Sequence, residues 1–258
     1  MSVVSGVTDH LVRVGRETRH MVVKRGGDFM RSEQMQLRER ELGVSPNTLY
    51  FRGRTAALGD ITPVVASEIF GIFPEWYVKS ALRGTRKISR DTATENYLSV
   101  CWEWGRANLS EVASVGRAAE LLFEVADTTD ASALPLFAGW RAAKRPSHDA
   151  EALAHALMVV RELRGGLHFA ALRAFGVGTR EAIMVDRVDG GIARLARSGW
   201  MSQDIEQLEA RTMRIPDLQQ RWDQAEEQTN CLFGSAVSSA LTEGDAQELH
   251  EMLVRMSA

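Results

Sequence analysis

The chain has 258 residues, 45% of them hydrophobic and 25% charged, a balance that supports one large globular domain or two small ones. Its 31 basic and 34 acidic side chains leave a net charge of −3, which excludes a generally polycationic nucleic-acid or membrane binder and leaves only a local patch for DNA. The two cysteines, Cys101 and Cys231, lie outside any C-x-x-C or Cys/His spacing, which argues against a disulfide scaffold and a zinc ribbon and predicts a reducing, cytoplasmic setting.

The opening stretch MSVVSGVTDHLVRVGRETRH lacks the apolar core of a signal peptide, and no apolar run reaches the roughly 18 residues of a membrane span. A soluble protein with no membrane partner is expected. Helical spacing dominates and alternating strands with hairpin turns are missing, so the predicted fold is all-α with little or no sheet. In YFRGRTAALGD, Arg52 and Arg54 flank Gly53 directly before the first marked helix start, where a phosphate loop could sit. The stretch matches neither G-x-x-x-x-G-K-[ST] nor a full G-x-G-x-x-G.

Next, Thr62 can cap a helix whose first residue is Pro63, and Pro74 can open a second helix after a break at Gly71 to Phe73. This is a helix-turn-helix pattern. The second helix carries Lys79 and Arg83, and Arg86, Lys87 and Arg90 continue the basic run. In a helix-turn-helix protein such residues meet phosphates or base edges, whereas a merely solvated face would carry the same charges. Trp76 and Tyr77 are assigned to the core.

A long helix is predicted from Asp91 to about Asn108, with Tyr97, Cys101 and Trp104 on one face and Trp102 off it. Ser110 is read as the cap of the following helix, whose stripe is Val115, Ala118, Leu122 and Val125. Turn formers cluster in DTTDASALP and AAKRPSHD. The boundary therefore falls between an N-terminal helical domain, 1–127, with the helix-turn-helix-like pair, and a C-terminal helical domain, 136–258. Near the end, Thr242 with Asp245 resembles a capping box.

The segment RELRGGLHFAALRAFG, residues 161–176, keeps helical spacing yet holds three glycines, two of them adjacent at its middle, three arginines and a histidine. If one helix continues through Gly165 and Gly166, then Leu153, Leu157, Val160, Leu167, Ala171 and Phe175 share an arc. Arg164 falls inside that arc, His168 at its rim beside Arg161, and Glu162 opposite. A guanidinium facing a core needs a partner or a wet cavity. If the glycines end the helix instead, the phase resets and the segment is a turn. On the first reading Arg164 binds a carboxylate or phosphate through its fork of donors, and His168 exchanges a proton. The remaining histidines follow no metal-ligand spacing and no G-x-S-x-G elbow exists, so neither a metal nor a cofactor is called for.

LYFRGRTAALGDITPVVASEIFGIFPEWYVKSAL and ALMVVRELRGGLHFAALRAFGVGTREAI resemble a family of actinobacterial proteins labelled as helix-turn-helix proteins. The first is similar to the family's Y-F-x-G-R-x-A-P-L-G segment, the second to its L-R-E-x-R-G-D-G-H-x-A-A-L run. The resemblance marks Tyr50, Arg54, Arg161, Glu162, Arg164, Gly165 and His168, and implies a winged-helix-like fold. Gly166 stands where the family has aspartate and Leu167 where it has glycine, so an acid that could pair with His168 is missing locally. After RSGW, the stretch QDIEQLEARTMRIPDLQQRW is short for the family's winged segment. The expected function is binding of a small anionic metabolite by Arg54 and Arg164, supported by Tyr50, Arg161 and Glu162. The lean is to a cofactor-independent enzyme of actinobacterial metabolism with His168 as the catalytic group. The alternative is a ligand-responsive helix-turn-helix transcription regulator whose Lys79, Arg83, Arg86 and Lys87 touch DNA, and a homodimer is a further expectation.

Overall fold

Most of the described residues lie in helices, and no strand occurs among them. The structure, a computed structural model, describes residues 2–83 and 88–257, with side chains over 9–83 and 88–256. In chain order the helices are α1 (Ser2–Glu17), α2 (Gly26–Asp28) between a π turn and a 3-10 turn, α3 (Glu33–Glu41), α4 (Thr48–Ala56), α5 (Pro63–Phe70) and α6 (Glu75–Arg83). There follow α7 (Arg90–Leu109), α8 (Val115–Thr128), α9 (Pro135–Arg141), α10 (Asp149–Ala174), α11 (Thr179–Val185), α12 (Gly191–Arg197), α13 (Ser202–Thr212), α14 (Leu218–Ala240) and α15 (Glu243–Ser257).

Several starts follow from local chemistry. Thr62 Oγ1 accepts from the Val65 amide at 3.3 Å with Pro63 at the first helical position, and Gly71 ends α5 in the left-handed region. Pro74 directly precedes α6, and Thr242 Oγ1 accepts from the Asp245 amide at 3.2 Å. Other expectations are corrected. YFRGRTAALGD is not a phosphate loop: Thr48–Ala56 form α4, and Gly53 is there because a Cβ would meet the Tyr97 ring at 2.7 Å. Ser110 closes α7 instead of opening α8, which begins after Ser114. Trp76 is half-exposed, because it occupies the outer face of α6 with Lys79 and Arg83, whereas Tyr77 packs on the core. Arg86 and Lys87 lie outside the described residues.

The organising element is α10, a single 26-residue helix that runs straight through Gly165 and Gly166. It packs against α7, α8, α9 and α14. One apolar core extends from Val14 to Leu253 and includes residues from both sides of the stretch 128–135. Glu162, placed by the wheel on the side opposite the apolar arc, is itself buried, at 4% exposure. Arg54 of α4 reaches it there. Along α14, α1 approaches so closely that a Cβ on Gly15 would collide with the Asn230 carbonyl, and one on Gly234 with that of Leu11. A smaller core of Leu195, Ile205 and Leu208 ties α12 to α13.

Candidate anion pocket and helix-turn-helix pair

The C-terminal half of α10 lies where α4, the α5–α6 turn, α11 and α14 meet. There Tyr50, Arg54, Arg161, Arg164 and His168, all singled out from the sequence, line one cavity of about 220 Å³. Glu162 lies behind the wall and takes Arg54 in a two-pronged pair, Nε to Oε1 at 2.8 Å and Nη2 to Oε2 at 2.7 Å. Tyr50 Oη accepts from Arg54 Nη1 at 3.1 Å, and Arg161 adds a bond to Glu162 Oε1 at 3.0 Å. Burial by itself would raise the Glu162 carboxyl, but Arg54 and Arg161 outweigh it and hold the group below the usual carboxylate range.

Arg164 is buried, as its place in the apolar arc requires, and α14 meets its charge. Its Nη2 donates to Glu226 Oε1 at 2.5 Å and Asn230 Oδ1 at 2.8 Å, while its buried Nε has no partner. Burial pushes this guanidinium below its ordinary value against the pull of Glu226. His168 Nδ1 lies 3.2 Å from Thr229 Oγ1 and 3.5 Å from Glu226 Oε2. Burial, with Arg164 and Arg19 nearby, pushes the imidazole down to about 4 despite Glu226, so it is neutral at physiological pH. The acid missing after Gly165 is therefore supplied by Glu226 of α14, 58 positions beyond His168.

Sequence reasoning missed Glu226, Thr229 and Asn230, whose signal was a buried polar face within an otherwise polar helix. It also missed Arg19, Arg31 and Arg194, which join Arg54, Arg161 and Arg164 around the cavity. These six arginines face four carboxylates: Glu226, Asp186 and Asp189 on the wall and Glu162 behind Arg54. Arg194 is held below its ordinary value, by burial first and then by the charge of Arg31, which also lines the cavity. Six guanidiniums against four carboxylates leave the surroundings of this partly closed cavity net cationic.

The α5–α6 turn is part of this wall: Phe70 and Ile72 line the cavity. Thr179 Oγ1 donates to the Gly71 carbonyl at 2.5 Å and Trp200 Nε1 to the Ile72 carbonyl at 2.9 Å. On the far side of the pair, Lys79 and Arg83 are exposed and line, with Arg52, a cleft of about 600 Å³. The chain belongs to a helix-turn-helix family. The family model matches residues 29–258, so it takes in α3 to α15, the α5–α6 pair and the pocket residues from Arg31 onward. No curated protein and no solved structure matches the chain. Among the described residues, no helix is long and apolar enough to cross a membrane.

Proposed function

We propose that this helix-turn-helix protein is a ligand-responsive DNA-binding regulator, in which a small anion held by the arginine pocket sets the position of the α5–α6 pair. One observation carries the reading: Ile72, in the turn of the pair, lines the pocket with Phe70 just before it, and the turn is tied to α11 and to Trp200. An anion drawn to Arg164, Arg194 and Arg31 changes the charge balance directly behind that turn. The outer face of α6 then meets DNA differently with and without ligand, which is the differential contact that coupling requires. Residues 1–127 carry the DNA-contacting pair and residues 136–258 most of the pocket. The unit α11–α13 stands for the winged-helix-like part, and a homodimer would set two α6 helices on adjacent half-sites. The test is binding of purified protein to a pool of duplex promoter fragments at low salt, with and without added carboxylates and phosphates. Enrichment of a sequence whose retention changes with an anion is the expected result; no binding under any condition overturns the regulator.

A second reading, a cofactor-independent enzyme acting on a small anionic metabolite, is favoured by the setting of His168. Its Nδ1 is engaged by Thr229 and Glu226, and among the described residues no hydrogen bond reaches Nε2 of this neutral, cavity-lining imidazole. A general base needs that arrangement and contributes about 10²- to 10⁴-fold in rate. Incubating the protein with a cell-extract metabolite fraction, beside His168→Gln, separates the two: a metabolite consumed only by the wild type favours the enzyme.

A further inference from the structure

A second, more apolar cavity of about 400 Å³ adjoins the arginine pocket between α5, α9 and α10. Its apolar wall includes Val64, Val65 and Ile69 from α5, with Leu134, Leu136 and Phe137 across from them. Arg54, Phe70, Gly165 and Phe169 line both cavities, so the two share a wall along one face of α10. Val64 and Val65 are 53% and 45% exposed, an unusual state for adjacent valines on a helix that forms a cavity wall.

Gly165 sits on that shared wall. In the interior of a helix a glycine costs nearly ~1 kcal/mol relative to alanine. Gly166 earns its place, because a Cβ there would collide with Leu134, but a Cβ on Gly165 would meet nothing within 4 Å. Packing thus gives no reason for Gly165, while the open space beside it lies where the cationic and apolar cavities adjoin.

We infer that the ligand is an amphipathic oxyanion, its head group on the arginines and its apolar tail past Gly165 in the α5–α9–α10 groove. The inference rests on the reading of the arginine pocket as an anion site, and it is independent of DNA contact. The charge surplus selects the anionic end, and the apolar cavity that adjoins it along α10 offers the tail a place away from water. A space of 400 Å³ holds on the order of ten methylene groups, if each takes about the ~30 Å³ share of a liquid water. A tail there would lie against Val64 and Val65 of the first helix of the pair, so it deepens the coupling to α5.

The probes are the sodium salts of butanoic, hexanoic, octanoic and decanoic acids, with octyl phosphate and neutral octanol, measured by calorimetry on the full chain. Burial of each methylene predicts about a fourfold gain, so octanoate should bind on the order of 100-fold tighter than butanoate. Octyl phosphate binding beyond octanoate would assign the head to phosphate, and the reverse order to carboxylate; either outcome supports the inference. Gly165→Leu should flatten the series. Val65→Asp, at an exposed position, should flatten it too and guards against misfolding of the first variant. Equal affinity for short and long acids overturns the tail and leaves the anion pocket standing. Octanol binding as well as octanoate overturns the head group. No binding by any anion overturns the pocket itself.

Discussion

At the residue scale the decisive groups are buried charges that each find a partner on a different helix. Glu162 is enclosed by Arg54 and Arg161, and removal of one partner leaves a carboxylate stranded away from water. Arg54→Met should cost about 3 kcal/mol, the low end for a broken buried pair because Arg161 remains, and Arg54→Met with Glu162→Leu should recover most of it. Urea denaturation of the single and double variants checks this; a single variant as stable as the wild type would show that the pair holds nothing together. Histidine burial sets the pH response. Burial pushes both His155 and His168 down to about 4, well below their ordinary value. Between about 4 and 6.5 the unfolded chain therefore binds more protons than the fold, and stability is lost as pH falls through that window. Each histidine contributes up to about 1.4 kcal/mol per pH unit, so His155→Leu should reduce the acid slope, read from urea midpoints at pH 7, 6 and 5.

At the element scale, helix starts were legible wherever a cap and its acceptor lie within one turn. Thr62, Pro63 and Thr242 act locally, so their neighbours alone decide the outcome. Ser110 misled because any serine near a helix boundary can cap; which one does depends on where α7 stops, and α7 stops at Leu109 against the core. The crossing of α1 on α14 could not be read at all, since Gly15 and Gly234 have meaning only against each other's helix. Gly234→Val should push α1 away and cost roughly 2–3 kcal/mol by overpacking, whereas Gly165→Ala, facing open space, should gain up to about 1 kcal/mol. Thermal melts of the two variants should shift in opposite directions; a shift in the same direction would show that open space is not what distinguishes Gly165.

At the scale of the whole molecule, the pocket and the basic face of α6 lie on opposite sides of one helix pair. If Lys79 and Arg83 track a phosphate backbone, affinity for duplex DNA should fall by about one log unit per decade of salt for each phosphate neutralised. Lys79→Ala with Arg83→Ala should then weaken binding and lower the slope by about two, as titrations from 50 to 300 mM salt would record. An unchanged slope places the contact elsewhere on the molecule.

The sequence by itself determined the all-helical fold, the α5–α6 pair and the interest of Arg54, Arg164 and His168, because periodicity, capping and unusual cargo on an apolar arc are written within a few residues. Only the tertiary structure decided that α10 continues through both glycines, that Glu162 is enclosed, and that Glu226, Thr229 and Asn230 complete the surroundings of Arg164 and His168. The physical reason is that a buried charge dictates the need for a partner but not its address. Desolvation is a property of the residue, while the group that offsets it arrives from whichever helix the packing of the core brings alongside.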